Sequence, residues 1–126
     1  MLNSSKLVGF VATAKPQQAL RFYSETLGLR LIDDGPYALV FDANGTTIRV
    51  QKVSEVSPAG YTSLGWVVED IEQVMVQLVK RGVKFQRYPG LEQSEIGVWR
   101  TPDGSSVAWF KDPDENILSL TQHSGK

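Results

Sequence analysis

Two stretches decide the fold: ALVFDANGTTIRVQ at residues 38–51 and VAWFKDPDENILSLTQ at residues 107–122. Each contains two runs in which apolar and polar residues alternate, the signature of a half-buried strand. The first pair flanks Asn44-Gly45, a strong signal for a two-residue hairpin turn. The second flanks Asp112-Pro113-Asp114, residue types that favour local hydrogen bonding in turns. With Asp42 placed on Asp112, Ile48 falls on Leu118, Arg49 on Ser119 and Val50 on Leu120. The chain contains an internal repeat.

Working outward, each hairpin is preceded by a strand and a helix. LVGFVAT (7–13) reads as a strand, and residues 16–27 read as a helix with Pro16 at its start and Gly28 just past its end. SLGWVV (63–68) opens the second half. There Asp70 can cap a helix with Gln73 three residues on, and Gly82 ends it. Ala19, Leu20, Tyr23 and Leu27 form the first apolar stripe, and Ile71, Val74, Met75 and Leu78 the second. An offset of about 55 residues superposes the two stripes. Residues 29–33 and 83–88 are the strand candidates between helix and hairpin, and 96–101 is an extra one. Asp33-Asp34 before Gly35-Pro36, and Pro102-Asp103-Gly104, read as turns.

The expected fold class is therefore α+β: two βαβββ modules forming a curved mixed sheet around a cleft, with the helices outside. One domain of 1–126 is expected, with module one at about 6–53 and module two at about 61–122. The breakers Pro58 and Gly60 lie in the connector between them. A half of this size with a single helix buries too little surface to stand alone.

Composition narrows the function. Thirteen Lys and Arg against fourteen Asp and Glu leave a formal charge of −1, which gives no attraction to nucleic acid or an anionic membrane. The absence of cysteine removes disulfides, thiolate metal sites and cysteine nucleophiles. No apolar run reaches the ~20 residues of a membrane span. The opening MLNSSK carries no apolar signal core, so a cytoplasmic protein is expected. The single histidine, His123, sits in the polar tail TQHSGK.

ALRFYSETLGLRL (19–31), YTSLGWVVEDIE (61–72) and WFKDPDENILSLTQ (109–122) together resemble the vicinal oxygen chelate superfamily, the glyoxalase/bleomycin-resistance/dioxygenase group. The resemblance runs from about Leu7 to Gln122. It implies a cleft in which metal-dependent members hold a divalent ion with four side chains, commonly His and Glu, to polarise two substrate oxygens. Carried onto this chain, the four positions fall on Val8, Arg49, Ser63 and Ser119. Valine has no donor atom, arginine repels a cation and a neutral hydroxyl is a weak ligand. A shift of two residues gives Phe10, Gln51 or Thr47, Gly65 and Thr121, again without carboxylate or imidazole. The expectation is no metal and no cofactor.

The period of two places Val8, Phe10, Ala12, Thr47, Arg49, Gln51, Ser63, Gly65, Val67, Ser119 and Thr121 on the cleft side. Arg49 is the candidate partner of an anionic group, or else a salt-bridged or solvated strand residue. Trp99 and Trp109, with Tyr37 and Phe41, are candidates for the cleft wall or a dimer surface; ordinary core packing is the competing account. Trp66 is expected on the helix side. Glu92 and Glu95 lie in the loop LEQSE, either a lid or a solvated loop, and no pair of carboxylates marks a catalytic face.

The leading reading is a metal-independent binder of a small organic molecule, anionic ones included, of the sequestration or resistance type and built as a homodimer. The alternatives are a glyoxalase- or dioxygenase-like enzyme with non-standard ligands or metal-free acid/base chemistry, and an interaction module whose cleft is self-filled.

Overall fold

The computed structural model describes residues 1–125. The chain divides into two compact units, Met1–Pro58 and Ala59–Lys126. The first contains β1 (Val8–Thr13), α1 (Pro16–Arg21), β2 (Arg30–Asp34), β3 (Ala38–Ala43) and β4 (Thr46–Lys52). The second contains β5 (Thr62–Val67), α2 (Ile71–Lys80), β6 (Trp99–Arg100), β7 (Ser106–Lys111) and β8 (Ile117–Gln122). The strand orders are β1-β4-β3-β2 and β5-β8-β7-β6, so both units have the βαβββ plan and a four-stranded mixed sheet. In each, the first and last strands pair in parallel and the hairpins pair antiparallel. No helix among the described residues is long and apolar enough to cross a membrane.

The register sorts side chains onto two faces. In the first sheet Val11, Leu39, Phe41, Ile48 and Val50 are buried. Ala19 and Tyr23 cover them, with the Tyr23 and Phe41 rings 5.7 Å apart. In the second, Ala108, Phe110, Leu118 and Leu120 are buried beneath Ile71, Met75 and Leu78. The Asp70 carboxylate caps α2 by accepting from Gln73 N–H at 3.1 Å. Gln122 of β8 ties the helix start down, its Oε1 accepting from Ile71 N–H at 2.9 Å.

The turns follow their residue types. Asn44 and Gly45 both have positive φ, 53° and 96°, as a type I′ hairpin requires. The buried Asp112 organises the other turn. Its Oδ1 accepts from the N–H groups of Asp114 and Asn116, both at 2.9 Å, and its Oδ2 from Asn116 Nδ2 at 2.9 Å.

Four local expectations need correction. The helix expected over 16–27 is α-helical only to Arg21, after which Phe22–Thr26 widens into a π turn. Asp33 and Asp34 belong to β2 rather than to a turn, and Lys52 Nζ holds Asp34 at 2.7 Å. Residues 83–88 form no strand, and 96–101 contributes only the two residues of β6. The reason is where the backbone groups of this segment find partners. Arg87 donates to the carbonyls of Gln93, Ser94 and Glu95, while the Gln93 amide donates to the carbonyls of Gln86 and Gly97 and accepts from Tyr88 N–H. Side chains supply the bonds that a sheet ladder would otherwise provide.

Asp112→Ala removes one carboxylate and the three hydrogen bonds it accepts in a buried turn. A loss of about 2–4 kcal/mol is expected in urea unfolding, with Asp112→Asn losing less. Equal stability of Asp112→Ala and the parent would show that the turn does not depend on this side chain.

Candidate functional site

The face of each sheet turned away from its helix carries the candidate residues. In the first sheet Val8 lies opposite Thr47, Phe10 opposite Arg49 and Ala12 opposite Gln51. All six are half-buried or exposed, and Phe10 is 53% exposed. Val40 and Asp42 extend this face across β3, since they pair with Arg49 and Thr47. Arg30 of β2 reaches Asp42 at 4.0 Å. The Arg49 side chain has no hydrogen bond or ion pair among the described residues, although it is half-buried. A guanidinium held on a sheet face without a counter-ion is poised to accept one.

In the second sheet Gly65 lies opposite Ser119 and Val67 opposite Thr121, while Trp109 lies opposite Ser119 from the other side. Trp99 pairs with Val107, which puts it on the same face. The two indoles stack with centroids 6.1 Å apart, and Tyr88 meets Trp109 edge-on at 5.5 Å. The Tyr88 hydroxyl is buried and has no hydrogen-bond partner among the described residues. Trp66 pairs with Leu120 and so faces α2, as the alternation predicts. Gly65 lies close to its neighbour: a Cβ there would stand 2.6 Å from Ser119 Oγ, and that hydroxyl would have to turn away.

Of the remaining candidates, Phe41 follows the core-packing account, Tyr37 stays at the surface and Ser63 falls on an irregularity. Phe41 is fully buried against Tyr23 on the helix side of the first sheet, so it belongs to the core. Tyr37 precedes β3 and is 79% exposed. Ser63 is the extra residue of an irregularity between Thr62 and Leu64, where the β5–β8 register slips, so the period of two does not orient it. Glu92, Glu95 and His123 are exposed. Tyr88 was invisible to periodicity, because the side chain of Gln93 rather than a ladder fixes its position. Asp103, in the turn before β7, is held below the usual carboxylate value by the Thr101 hydroxyl and then by Ser105 N–H. Its contribution to that turn is present above its ordinary pKa and is lost as pH falls through the lowered one.

The sequence pattern of the Glyoxalase/Bleomycin resistance protein/Dioxygenase superfamily matches residues 7–120, and the chain belongs to this family. Solved structures with the same fold include TnmS3, an antibiotic binding protein from Streptomyces sp. CB03234, at 24% identity and a TM-score of 0.72, covering 98% of this chain and 99% of that one. A superfamily member from Sphaerobacter thermophilus DSM 20745 is 23% identical with a TM-score of 0.73, covering 98% and 100%. Lactoylglutathione lyase from Agrobacterium tumefaciens is 15% identical with a TM-score of 0.71, covering 94% and 93%. None of the curated proteins matches the chain.

The family's divalent ion does not fit the residues present. Val8, Arg49, Ser63 and Ser119 offer no carboxylate or imidazole, and among the described residues no group of three or more His, Cys, Asp or Glu could hold a metal.

The Gly65–Ser119 contact makes a specific prediction. Gly65→Ala forces the Ser119 hydroxyl out of its rotamer, and a loss of about 1–2 kcal/mol is expected. The double variant Gly65→Ala/Ser119→Ala should recover most of that loss in a denaturation-based mutant cycle; strict additivity would refute the contact.

Proposed function

We propose that this protein binds a small organic molecule, anionic or flat and aromatic, without a metal ion, as a sequestering or resistance-type protein of the cytoplasm. The observation that carries the reading is the chemistry of the open sheet faces. Where metal-dependent relatives place their ligands, the chain has a valine, two serines and an arginine without a counter-ion. Close by on the same faces stand Phe10 in the first unit and the stacked Trp99 and Trp109 in the second. Arg49 suits a carboxylate or phosphate, which it can grip with two parallel N–H donors. The indoles suit a planar ring. Antibiotic binding by TnmS3, which shares the fold, agrees with this assignment. Val8, Thr47, Gln51, Gly65, Ser119 and Thr121 supply small or neutral surroundings on those faces.

The chain is further proposed to act as a homodimer. Phe10 at 53%, Val67 at 70%, Tyr37 at 79% and Tyr61 at 73% exposure are large apolar groups that association would cover. Sedimentation velocity should then give twice the 14.0 kDa chain mass.

The deciding experiment combines elemental analysis with ligand titration. Untagged protein, purified without chelators and soaked with zinc, nickel, manganese and iron, should retain no stoichiometric metal. One metal per chain would overturn the reading and direct attention to an enzyme. Calorimetric titration with flat organic acids, starting with 2-naphthoate, should show one saturable site. Arg49→Ala should weaken the acid by about ten- to a hundredfold, the loss expected for a charge-assisted hydrogen-bonded pair. Unchanged affinity would remove Arg49 from the site.

A further inference from the structure

We propose that the outer flank of α2 forms a second ligand site, for a small amphiphile with an aliphatic chain and an anionic head. A groove of about 320 Å³ runs there, lined by Met75, Val76, Val79, Lys80, Phe85 and Ile96. It lies within the second unit and takes none of its lining from the sheet face that carries the tryptophans. Its base joins the core: Met75 is buried, and the Phe85 ring meets Phe110 at 5.5 Å.

The folding of α2 does not account for the rest of the lining. The helix buries Ile71, Met75 and Leu78, whereas Val76 and Val79 are 50% and 55% exposed and Ile96 is 44% exposed. Valine is a poorer helix former than the lysine or glutamine beside it, because the preceding turn restricts its χ1. Two exposed valines one turn apart, facing an exposed isoleucine, make an apolar strip with no covering side chain.

Charge selects the occupant. From Gln73 to Leu91 the sequence has four cations, Lys80, Arg81, Lys84 and Arg87, and no Asp or Glu, although the whole chain is formally −1. Arg87 is engaged by three backbone carbonyls. Lys80, the one polar group in the lining, has no hydrogen bond or ion pair among the described residues. A lining with a single cation cannot satisfy a ligand rich in hydroxyls or amides, but it suits a hydrocarbon chain that ends in a carboxylate. The volume is at the lower end of the ~300–1,000 Å³ usual for small-molecule sites, which matches one chain of medium length.

The test uses the full chain and monomeric hexanoate, octanoate and decanoate, followed by methyl NMR of the valines and isoleucines and by calorimetry. One saturable site is expected, with shifts at Val76, Val79 and Ile96 and affinity rising by about fourfold per methylene. Octanol should bind more weakly than octanoate. Val79→Asp, or Val76→Asp as a second disruption at an exposed position, should abolish binding, and Lys80→Gln should lower octanoate to the level of octanol. Failure of octanoate to bind overturns the proposal. Binding undiminished in both aspartate variants overturns it by placing the chain elsewhere. Equal affinity for octanoate and octanol overturns the assignment of an anionic head. Binding only to phosphatidylglycerol vesicles, or only self-association that Val79→Asp removes, overturns it in favour of a membrane surface or a second copy.

Discussion

Each unit is closed by a parallel pairing between strands far apart in sequence: β1 with β4, and β5 with β8. Parallel neighbours cannot be joined by a tight turn, so a helix and further strands must intervene. That constraint produces the βαβββ order and determines which side chains share a face. Phe10 stands beside Arg49 in one unit, and Gly65 beside Ser119 in the other, because those parallel registers hold. A slip of one residue would exchange the open face for the core.

Much of this was legible from residue types. Alternation around Asn44-Gly45 and Asp112-Pro113-Asp114 located both hairpins, and the apolar stripes located the helices, because burial and turn chemistry are local signals. The segment 83–98 was not legible in the same way. Several of its backbone groups are bonded by the Arg87 and Gln93 side chains, and no periodicity encodes such bonds. The same gap hid Tyr88, and a register slip removed Ser63 from the alternating pattern. Phe41 follows the core-packing account: an aromatic in a hairpin strand has a choice of two faces, and Tyr23 on the covering helical segment decides it.

The repeat has diverged in chemistry while keeping its frame. At the paired positions of the first and last strands, one unit has an aromatic ring and a cation, the other a glycine and a small hydroxyl. In the second unit the bulk sits further along the sheet, on Trp99 and Trp109, with Tyr88 against the latter. A surface of that kind presents shape and ring faces, whereas the first presents a cation.

The bulge in β2 has a consequence for behaviour in crowded solution. Ile32 is the extra residue where the β2–β3 register slips, and it is flanked by Arg30, Asp33 and Asp34 along an outer strand. An outer strand offers unpaired backbone groups that can recruit another chain into a growing sheet. A kinked strand with charges on both sides of the kink is a poor template for such growth, and β6, one of the two outer strands of the other sheet, is only two residues long. These two borders therefore resist fibrillar aggregation, even though Leu31 and Ile32 of β2 are apolar.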